Sequence, residues 1–281
     1  MTASTTPVDQ TGAVSAAHLE PPAGALNRIR AVARHDLRVL RRDPAFVIIF
    51  TVMPLLFMAF NRQVMGAALT VTGGGDSYDG AEFIIPGATV LFSGFMVGNI
   101  GFGIFREHGW GTWERLRCSP LSTTEIMVGK AVVPMLVSGF QLLALLGGGA
   151  LLLSLDLRGS VIAYVVVAAA LAVVQVAMGF MLLSVCRSVI QLNALSNAGA
   201  MLLGGLGGAV APVELLPGWA EAIAPVTPTY WAMRGFRAVT MDGGGLAEVA
   251  LPVAVLAGFA ALFIVVAANR FKVEATKVSW A

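Results

Sequence analysis

Long apolar runs separated by short polar segments dominate this chain. Six of the runs approach or exceed the roughly 20 residues that a helix needs to cross about 30 Å of hydrocarbon. Backbone groups in lipid must bond within their own segment, and these runs lack the alternation of β-barrel strands. We therefore predict an all-α integral membrane protein with six transmembrane helices, at residues 45–61, 83–105, 126–155, 161–185, 189–210 and 249–268.

The segment before the first run has the pattern of an amphipathic helix. Between residues 26 and 42, six arginines alternate with apolar residues at helical spacing: Leu26, Ile29, Ala33, Leu37 and Leu40. We predict an N-terminal helix that lies along the inner membrane surface. The alternative is a basic anchor without defined docking.

The polar segment between the second and third runs predicts a short helix. Glycine and proline bracket residues 112–118, which place Trp113, Leu116 and Arg117 on one helical side. Ser122 and Glu125 have the spacing of a capping box, so the third span should begin one residue after Ser122. A short charged helix between two spans could receive force from a soluble partner, although charged inner loops are common in membrane proteins.

The segment after the fifth run is too interrupted for a span and too apolar for an ordinary loop. Prolines stand at positions 212, 217, 225 and 228. We predict two short helices that dip into the outer leaflet, with Trp219, Tyr230 and Trp231 at the membrane interface. The alternative is an extracellular loop that lies flat on the lipid.

Composition and charge agree with a membrane protein and suggest its orientation. The chain is 57% hydrophobic and 12% charged, with a mean hydropathy of +0.81. With a cytoplasmic N-terminus, 14 of the 18 basic residues fall on the inner side, so both termini are predicted to be cytoplasmic. Residues 1–25 are polar, and we expect a disordered cytoplasmic tail there, a transmembrane domain at 26–270 and a cytoplasmic C-terminal tail at 271–281.

The sequence lacks the residues that several kinds of chemistry require. The phosphate loop GxxxxGK[ST] is missing, because Thr124 stands where its first glycine would precede Gly129 and Lys130. Charged residues and histidine avoid the helix centres, which disfavours proton-coupled transport and membrane hydrolysis. We therefore expect no catalytic, cofactor or metal site in this chain.

Two helical faces within the spans combine aromatic, amide and thioether groups. They could line a path for an amphiphilic cargo. The alternative is helix packing, because Gly94 with Gly98 and Gly204 with Gly208 are common small-residue motifs. The candidate pathway residues are Phe92, Phe95, Asn99 and Phe102 in the second span, with Asn193, Asn197 and Met201 in the fifth.

Two segments together resemble the type 2 ABC export permeases, especially their daunorubicin-resistance-like branch. The inner segment reads Glu107, then Gly111-Thr112-Trp113-Glu114-Arg115-Leu116-Arg117, then Ser119-Pro120-Leu121-Ser122 and Gly129-Lys130. The outer segment reads Pro212, Glu214, Leu216-Pro217, Trp219, Pro228-Thr229-Tyr230 and Arg234. The resemblance covers about residues 26–270, and His108-Gly109-Trp110 departs from the inner pattern.

The resemblance implies a division of labour with other polypeptides. A coupling helix, with Glu107 and residues 111–117, would contact a separate ABC ATPase subunit that binds ATP and Mg. Re-entrant helices would carry the outer motif: Pro212, Glu214, Pro217, Trp219, Pro228, Tyr230 and Arg234. A second permease copy, identical or related, would complete a dimer in the plasma membrane of a bacterium.

The function that this resemblance implies is ATP-driven export of a hydrophobic or amphiphilic drug-like compound or natural product. Such a permease would act in efflux and antibiotic resistance. Two alternatives stay open at the level of sequence. One is export of a lipid or lipid-linked glycan, and the other is a membrane scaffold or sensor that uses the fold without transport.

Overall fold

A computed structural model describes residues 24–71, 79–155 and 157–271. The described part is a bundle of helices with two 3₁₀ turns, at Val213–Leu215 and Ala224–Val226. In chain order the helices are α1 (Ala25–Arg42), α2 (Ala45–Val71), α3 (Ala81–Phe95), α4 (Val97–Gly109), α5 (Thr112–Arg117), α6 (Thr123–Leu152), α7 (Val161–Val185), α8 (Val189–Leu206), α9 (Gly218–Ile223), α10 (Pro228–Thr240) and α11 (Leu246–Arg270).

The six long apolar helices that the sequence predicts are present. Six helical stretches among the described residues are long and apolar enough to cross a membrane: α2, α3 with α4, α6, α7, α8 and α11. The fourth span has the predicted bounds, because turn residues flank its apolar run on both sides. The third begins after Ser122, where the predicted capping box forms.

The first span is longer than predicted. Helix α2 continues to Val71, well beyond the predicted end at Asn61, and residues 72–78 lie outside the described part. Asn61 does not end the helix, because its side-chain amide donates to the Phe57 carbonyl at 2.9 Å. Its polar group is thereby satisfied within the helix.

The second span is interrupted where continuous helix was predicted. Helix α3 ends at Phe95 and α4 begins at Val97, and the Met96 N–H donates to the Ser93 carbonyl in a tighter turn. Gly94 and its neighbours favour such a turn because glycine weakens helix. The two helices still form one membrane-length stretch.

The second span is the buried centre of the bundle. Every residue from Ala81 to Leu91 is buried, and α3 packs against α2, α6, α8 and α10. Helix α2 is the opposite case, because only 11% of its apolar window is buried. We call the two ends of the bundle the α5 end, where α1 and α5 lie, and the α10 end.

Helix α1 packs beside the first turns of α6. Arg28 contacts Glu125 and Val32 contacts Gly129, so the two helices run parallel here. Further along, Leu37 and Leu40 pack with Val133 and Val137 of α6. The predicted helix is present, while its placement on the membrane surface stays a prediction.

The predicted tails fall almost wholly outside the described residues. Ala25 already belongs to α1, and Phe271 approaches Trp113 of α5 with its ring edge. Residues 1–23 and 272–281 are the undescribed parts of the tails. The domain boundaries at 26 and 270 therefore stay predictions, although α1 and α11 begin and end close to them.

Candidate functional site

The short helix α5 is fixed to the α5 end of the bundle through one large side chain. Trp113 is only 2% exposed, stacks on His108 with ring centroids 4.7 Å apart, and meets Phe271 edge to face at 6.4 Å. Gly111 precedes the helix with a φ of +68°, a conformation that favours glycine. The chain therefore turns between α4 and α5, and the two helices pack against each other.

The opposite side of α5 presents charge. Glu114 and Arg115 are exposed, and Glu114 pairs with Arg117 one turn later at 3.0 Å. The Thr112 hydroxyl donates to the Glu107 carbonyl at 3.3 Å, which ties the helix start to α4. Leu116 is half-buried against the same apolar cluster as Trp113. The helix thus has an anchored apolar side and a polar outer side.

A buried charge cluster lies beside α5, where α1, α4 and α6 meet. The Lys130 ammonium donates to Asp36 Oδ1 at 2.8 Å and also to Glu107 Oε1. The Lys130 side chain is 6% exposed, and those of Asp36 and Glu107 are 19% and 12% exposed. Glu107, a predicted ATPase-coupling residue, therefore directs its carboxylate into the bundle.

The same cluster is the one grouping of metal-ligand side chains found among the described residues. His35, Asp36 and Glu107 have ligand atoms within 4.8 Å of one another, which sequence spacing did not indicate. Lys130 already contacts both carboxylates. An ammonium thus holds the position that a cation would take, and the cluster is better described as an ion-pair network.

The predicted pathway residues of the second span form its least buried stripe. Phe92, Phe95, Asn99 and Phe102 are each half-buried, and Gly103 is the one other residue from Ala81 to Phe105 that is not buried. Phe92 contacts Phe57 of α2 edge to face, with ring centroids 5.3 Å apart. The stripe is therefore where the central span opens to its surroundings.

Helix α8 packs antiparallel to the second span through small residues. A Cβ atom on Gly94 would lie 3.3 Å from the Ala200 Cβ, and one on Gly98 would lie 3.0 Å from the Ser196 Cβ. Gly204 and Gly208 are buried, so they belong to the packed side of the chain and not to the open face. Small residues thus bring these two spans together, as the packing alternative proposed.

We call the contact of Gly94, Gly98 and Gly101 with Ala200, Ser196 and Leu192 the seam between the second span and α8. The two predicted pathway faces lie on one side of it. Asn193, Asn197 and Met201 are exposed, and each follows a seam residue of α8 by one position. Phe95, Asn99 and Phe102 follow the seam residues of the second span in the same way. Because one position is about 100° around a helix and the helices are antiparallel, both faces lie on the same side of the seam.

The segment between α8 and α11 surrounds an open cleft at the α10 end. The cleft has a volume of about 870 Å³, and its lining includes Glu214, Tyr230 and Arg234. Of the other predicted re-entrant residues, Pro217 precedes α9, Trp219 is 65% exposed, and Pro212 and Pro228 are buried.

Ion pairing and capping hold this segment in place. Arg237 donates to Glu214 at 2.7 Å. Burial raises the pKa of Glu214, but a backbone hydrogen bond and Arg237 outweigh that effect and hold the pKa below its ordinary value. Thr227 caps α10, and Trp231 donates to the Pro225 carbonyl at 2.8 Å. Helices α9 and α10 occupy the positions where two short helices were predicted.

Sequence reasoning missed the residues that join distant elements. Asp36 and Arg237 were not selected, although Asp36 pairs with Lys130 beside Glu107 and Arg237 pairs with Glu214 of the outer segment. Lys130 was noted in a motif without a partner. The sequence does place residues of opposite charge near the ends of the predicted helices. That pattern does not specify which residues form a pair.

The fold and these sites define a class, the multi-pass helical membrane proteins with a short polar helix between their second and third spans. A family model described as ABC-2 type transporter matches residues 27–241, and the chain belongs to that family. It is also similar to the "Probable multidrug ABC transporter permease YbhR" of Escherichia coli K12 and to the protein of that name from E. coli O157:H7. Each match is 27% identical over 150 residues and covers 52% of this chain and 40% of the relative.

Proposed function

We propose that this chain is the permease subunit of an ABC exporter that moves a hydrophobic or amphiphilic small molecule out of the cell. A separate subunit would bind Mg and hydrolyse ATP. Family membership supports transport, and the similar E. coli proteins are named as multidrug permeases. The observation that carries the proposal is α5, a short helix anchored by Trp113 that presents Glu114 and Arg115 outward.

The α5 end is proposed to face the cytoplasm. Exposed arginines of α1 lie there, at positions 30, 34, 38, 41 and 42, together with Arg115 of α5 and Arg187. Basic residues close to span ends are retained on the cytoplasmic side. An ATPase would therefore meet α5 from the side on which ATP is available.

Movement of a docked ATPase would reach the spans through α5. Trp113 is stacked on His108 of α4, and a link of five residues joins α5 to α6. A displacement of the docking side must therefore shift the inner ends of the second and third spans. Opposite charges on α5 suit a reversible polar contact with a partner.

The cargo is proposed to travel along the open side of the seam between the second span and α8. The phenylalanines there would contact apolar parts of the cargo, and Asn99, Asn193 and Asn197 would bond its polar groups. A second permease copy facing this side would enclose the path. The helices α9 and α10 are proposed to re-enter the outer leaflet, so that the cleft between them lies near the exit.

The test reverses one charge on α5 in protein reconstituted with its candidate ATPase. Arg115→Glu is preferred over changes at Glu114, because a lysine at position 114 would also repel Arg117. Cargo transport and cargo-stimulated ATP hydrolysis should both fall by about tenfold or more, a change of about 1.4 kcal/mol, because like charges at a docking surface repel each other.

The matched control is Arg187→Glu, which reverses an exposed charge in the link between α7 and α8. Equal losses in both variants would indicate a general charge effect and contradict docking through α5. Screening drug-like compounds, lipids and lipid-linked glycans for stimulated ATP turnover separates the cargo classes. No stimulation by any class, with the ATPase bound, would favour a scaffold or sensor.

A further inference from the structure

The contacts of Lys130 join three helices that are far apart in sequence. Asp36 belongs to α1, Glu107 to the last turn of α4, and Lys130 to the second turn of α6. Asp36 is 94 positions from Lys130, and Glu107 is 23 positions from it. One ammonium is therefore the shared contact of the N-terminal helix and two transmembrane spans.

Stability alone is a weak reason for this arrangement. Removing charged groups from water is costly, and an apolar set of similar volume often gives equal or greater stability than a buried ion pair. Apolar side chains, however, tolerate several packings, whereas a lysine between two carboxylates fixes one relative position of their helices. Glu107 has a second carboxylate oxygen that is buried without a hydrogen-bond partner, so the network is not optimised for stability.

We propose that Lys130 is a positioning residue, which makes α1, the end of α4 and the start of α6 move as one body when the ATPase acts. This inference rests on the proposed function. The Glu107 carbonyl accepts from Thr112 at the start of α5, and the Glu107 carboxylate contacts Lys130. A displacement of α5 is thereby passed through Glu107 to Lys130 of α6. Lys130 passes it on to Asp36 of α1.

A second contact between α1 and α6 would keep the helices near each other but would not replace the network. Arg28 donates to Glu125 at 3.1 Å, at the beginning of both helices. That pair leaves α4 outside the connection. The structure therefore assigns the joint movement of all three helices to Lys130. Both ion pairs hold α1 next to α6.

The test replaces the charged network by uncharged side chains of similar size. The variant combines Asp36→Asn, Glu107→Gln and Lys130→Met, which avoids leaving an unpaired buried charge. The matched control, Arg62→Met with Asp79→Asn, removes an ion pair from the opposite end of the bundle. Both variants are first compared with the unmodified protein by the midpoint of their unfolding.

The first measurement is the distance between α1 and α5, taken with spin labels on Arg34→Cys and on the native Cys118. Both sites are exposed, whereas Cys186 is buried and should stay unlabelled. We expect one narrow distribution in the unmodified protein and in the control. The uncharged variant should give a broader distribution with an unchanged unfolding midpoint.

The second measurement is cargo transported per ATP hydrolysed in the reconstituted complex. It should fall about fivefold or more in the uncharged variant relative to the control, compared at equal amounts of bound ATPase. An unchanged distance distribution overturns the proposal, and so does a broader one with unchanged transport per ATP. Absence of transport by the unmodified protein would instead refute the proposed function, and the role of Lys130 in coupling with it.

Discussion

Gly129 sets how closely α1 approaches α6. A Cβ atom on Gly129 would lie 2.8 Å from the Cβ of Val32, a distance that side chains essentially never adopt. Because Gly129 has no side chain, Val32 packs closely against α6 and is only 6% exposed. This contact lies beside the turns of α6 that carry Glu125 and Lys130. Glycine at this helical position thus serves packing, although it weakens the helix itself.

Gly129→Ala should therefore destabilise the protein by about 1–3 kcal/mol, because Val32 and the α1 backbone must move. The measurement is the midpoint of SDS-induced unfolding. Gly139→Ala is the matched control in the same helix, since a Cβ atom there meets nothing within 4 Å. It should be neutral or add about 0.5–1 kcal/mol.

In a Val32→Gly background, Gly129→Ala should cost much less stability, because glycine at position 32 removes the Cβ atom that the new side chain would meet. An equal cost in that background would show that the two residues do not constrain each other. Destabilisation by the Gly139 control to the same extent would contradict the role given to close packing.

Local signals at single residues were sufficient where both partners are near in sequence. Ser122 and Glu125 predicted the start of α6 correctly because a capping box is made within one turn. Asp36 could not be predicted as the partner of Lys130, because 94 positions separate them and arginines nearby offered other partners. Glu107 was placed in the coupling helix by its motif alone.

At the scale of elements, apolar length predicted the helices better than polar residues predicted their ends. Asn61 and Arg62 lie inside α2, where Asn61 bonds its own backbone and Arg62 pairs with Asp79. A hydropathy pattern does not show that these polar side chains find hydrogen-bond or ion-pair partners in the folded chain. The turn at Met96 was missed because apolar residues continue on both sides of it.

Replacing Phe95 or Asn197 with alanine should change which cargo is transported. Phe95 is half-buried and Asn197 is exposed on the open side of the seam, so neither should be needed for packing of α8 on the second span. The measurement is transport or stimulated ATP hydrolysis with a panel of compounds. Individual compounds should change by about 10–200-fold at most, the range expected for one pocket contact.

Leu202→Ala is the control for this experiment. Leu202 is 65% exposed on α8, on a side away from Asn197 and Met201. Unchanged selectivity in the Phe95 and Asn197 variants would leave only the packing role of these helices. The same change in the Leu202 variant would indicate a general effect on α8.

At the scale of the whole molecule, the two ends of the bundle differ in accessible groups that report orientation. Cys118 is an exposed native thiol at the α5 end, and Asp242 is exposed at the α10 end. In intact cells, a membrane-impermeant thiol reagent should label Asp242→Cys and leave Cys118 unlabelled, because basic residues retain the α5 end inside.

Opening the membrane should make Cys118 reactive in the same cells, which shows that the thiol itself is accessible. Labelling of Cys118 from outside intact cells would overturn the proposed orientation. The family and the six helices would stand in that case, since neither depends on which end faces the cytoplasm.

The burial of α3 has a consequence for the order in which the protein is made. Its partners α6, α8 and α10 follow it in the chain, so a ribosome delivers α3 to the membrane before they exist. In the folded protein, the Thr89 hydroxyl donates to the Ile85 carbonyl at 2.7 Å and the Ser93 hydroxyl to the Thr89 carbonyl at 2.5 Å, both within α3. These residues therefore need no later helix to satisfy their hydroxyl donors. Helix α3 can remain in lipid before α7 is made, and Gln175 of α7 then donates to the Ser93 hydroxyl.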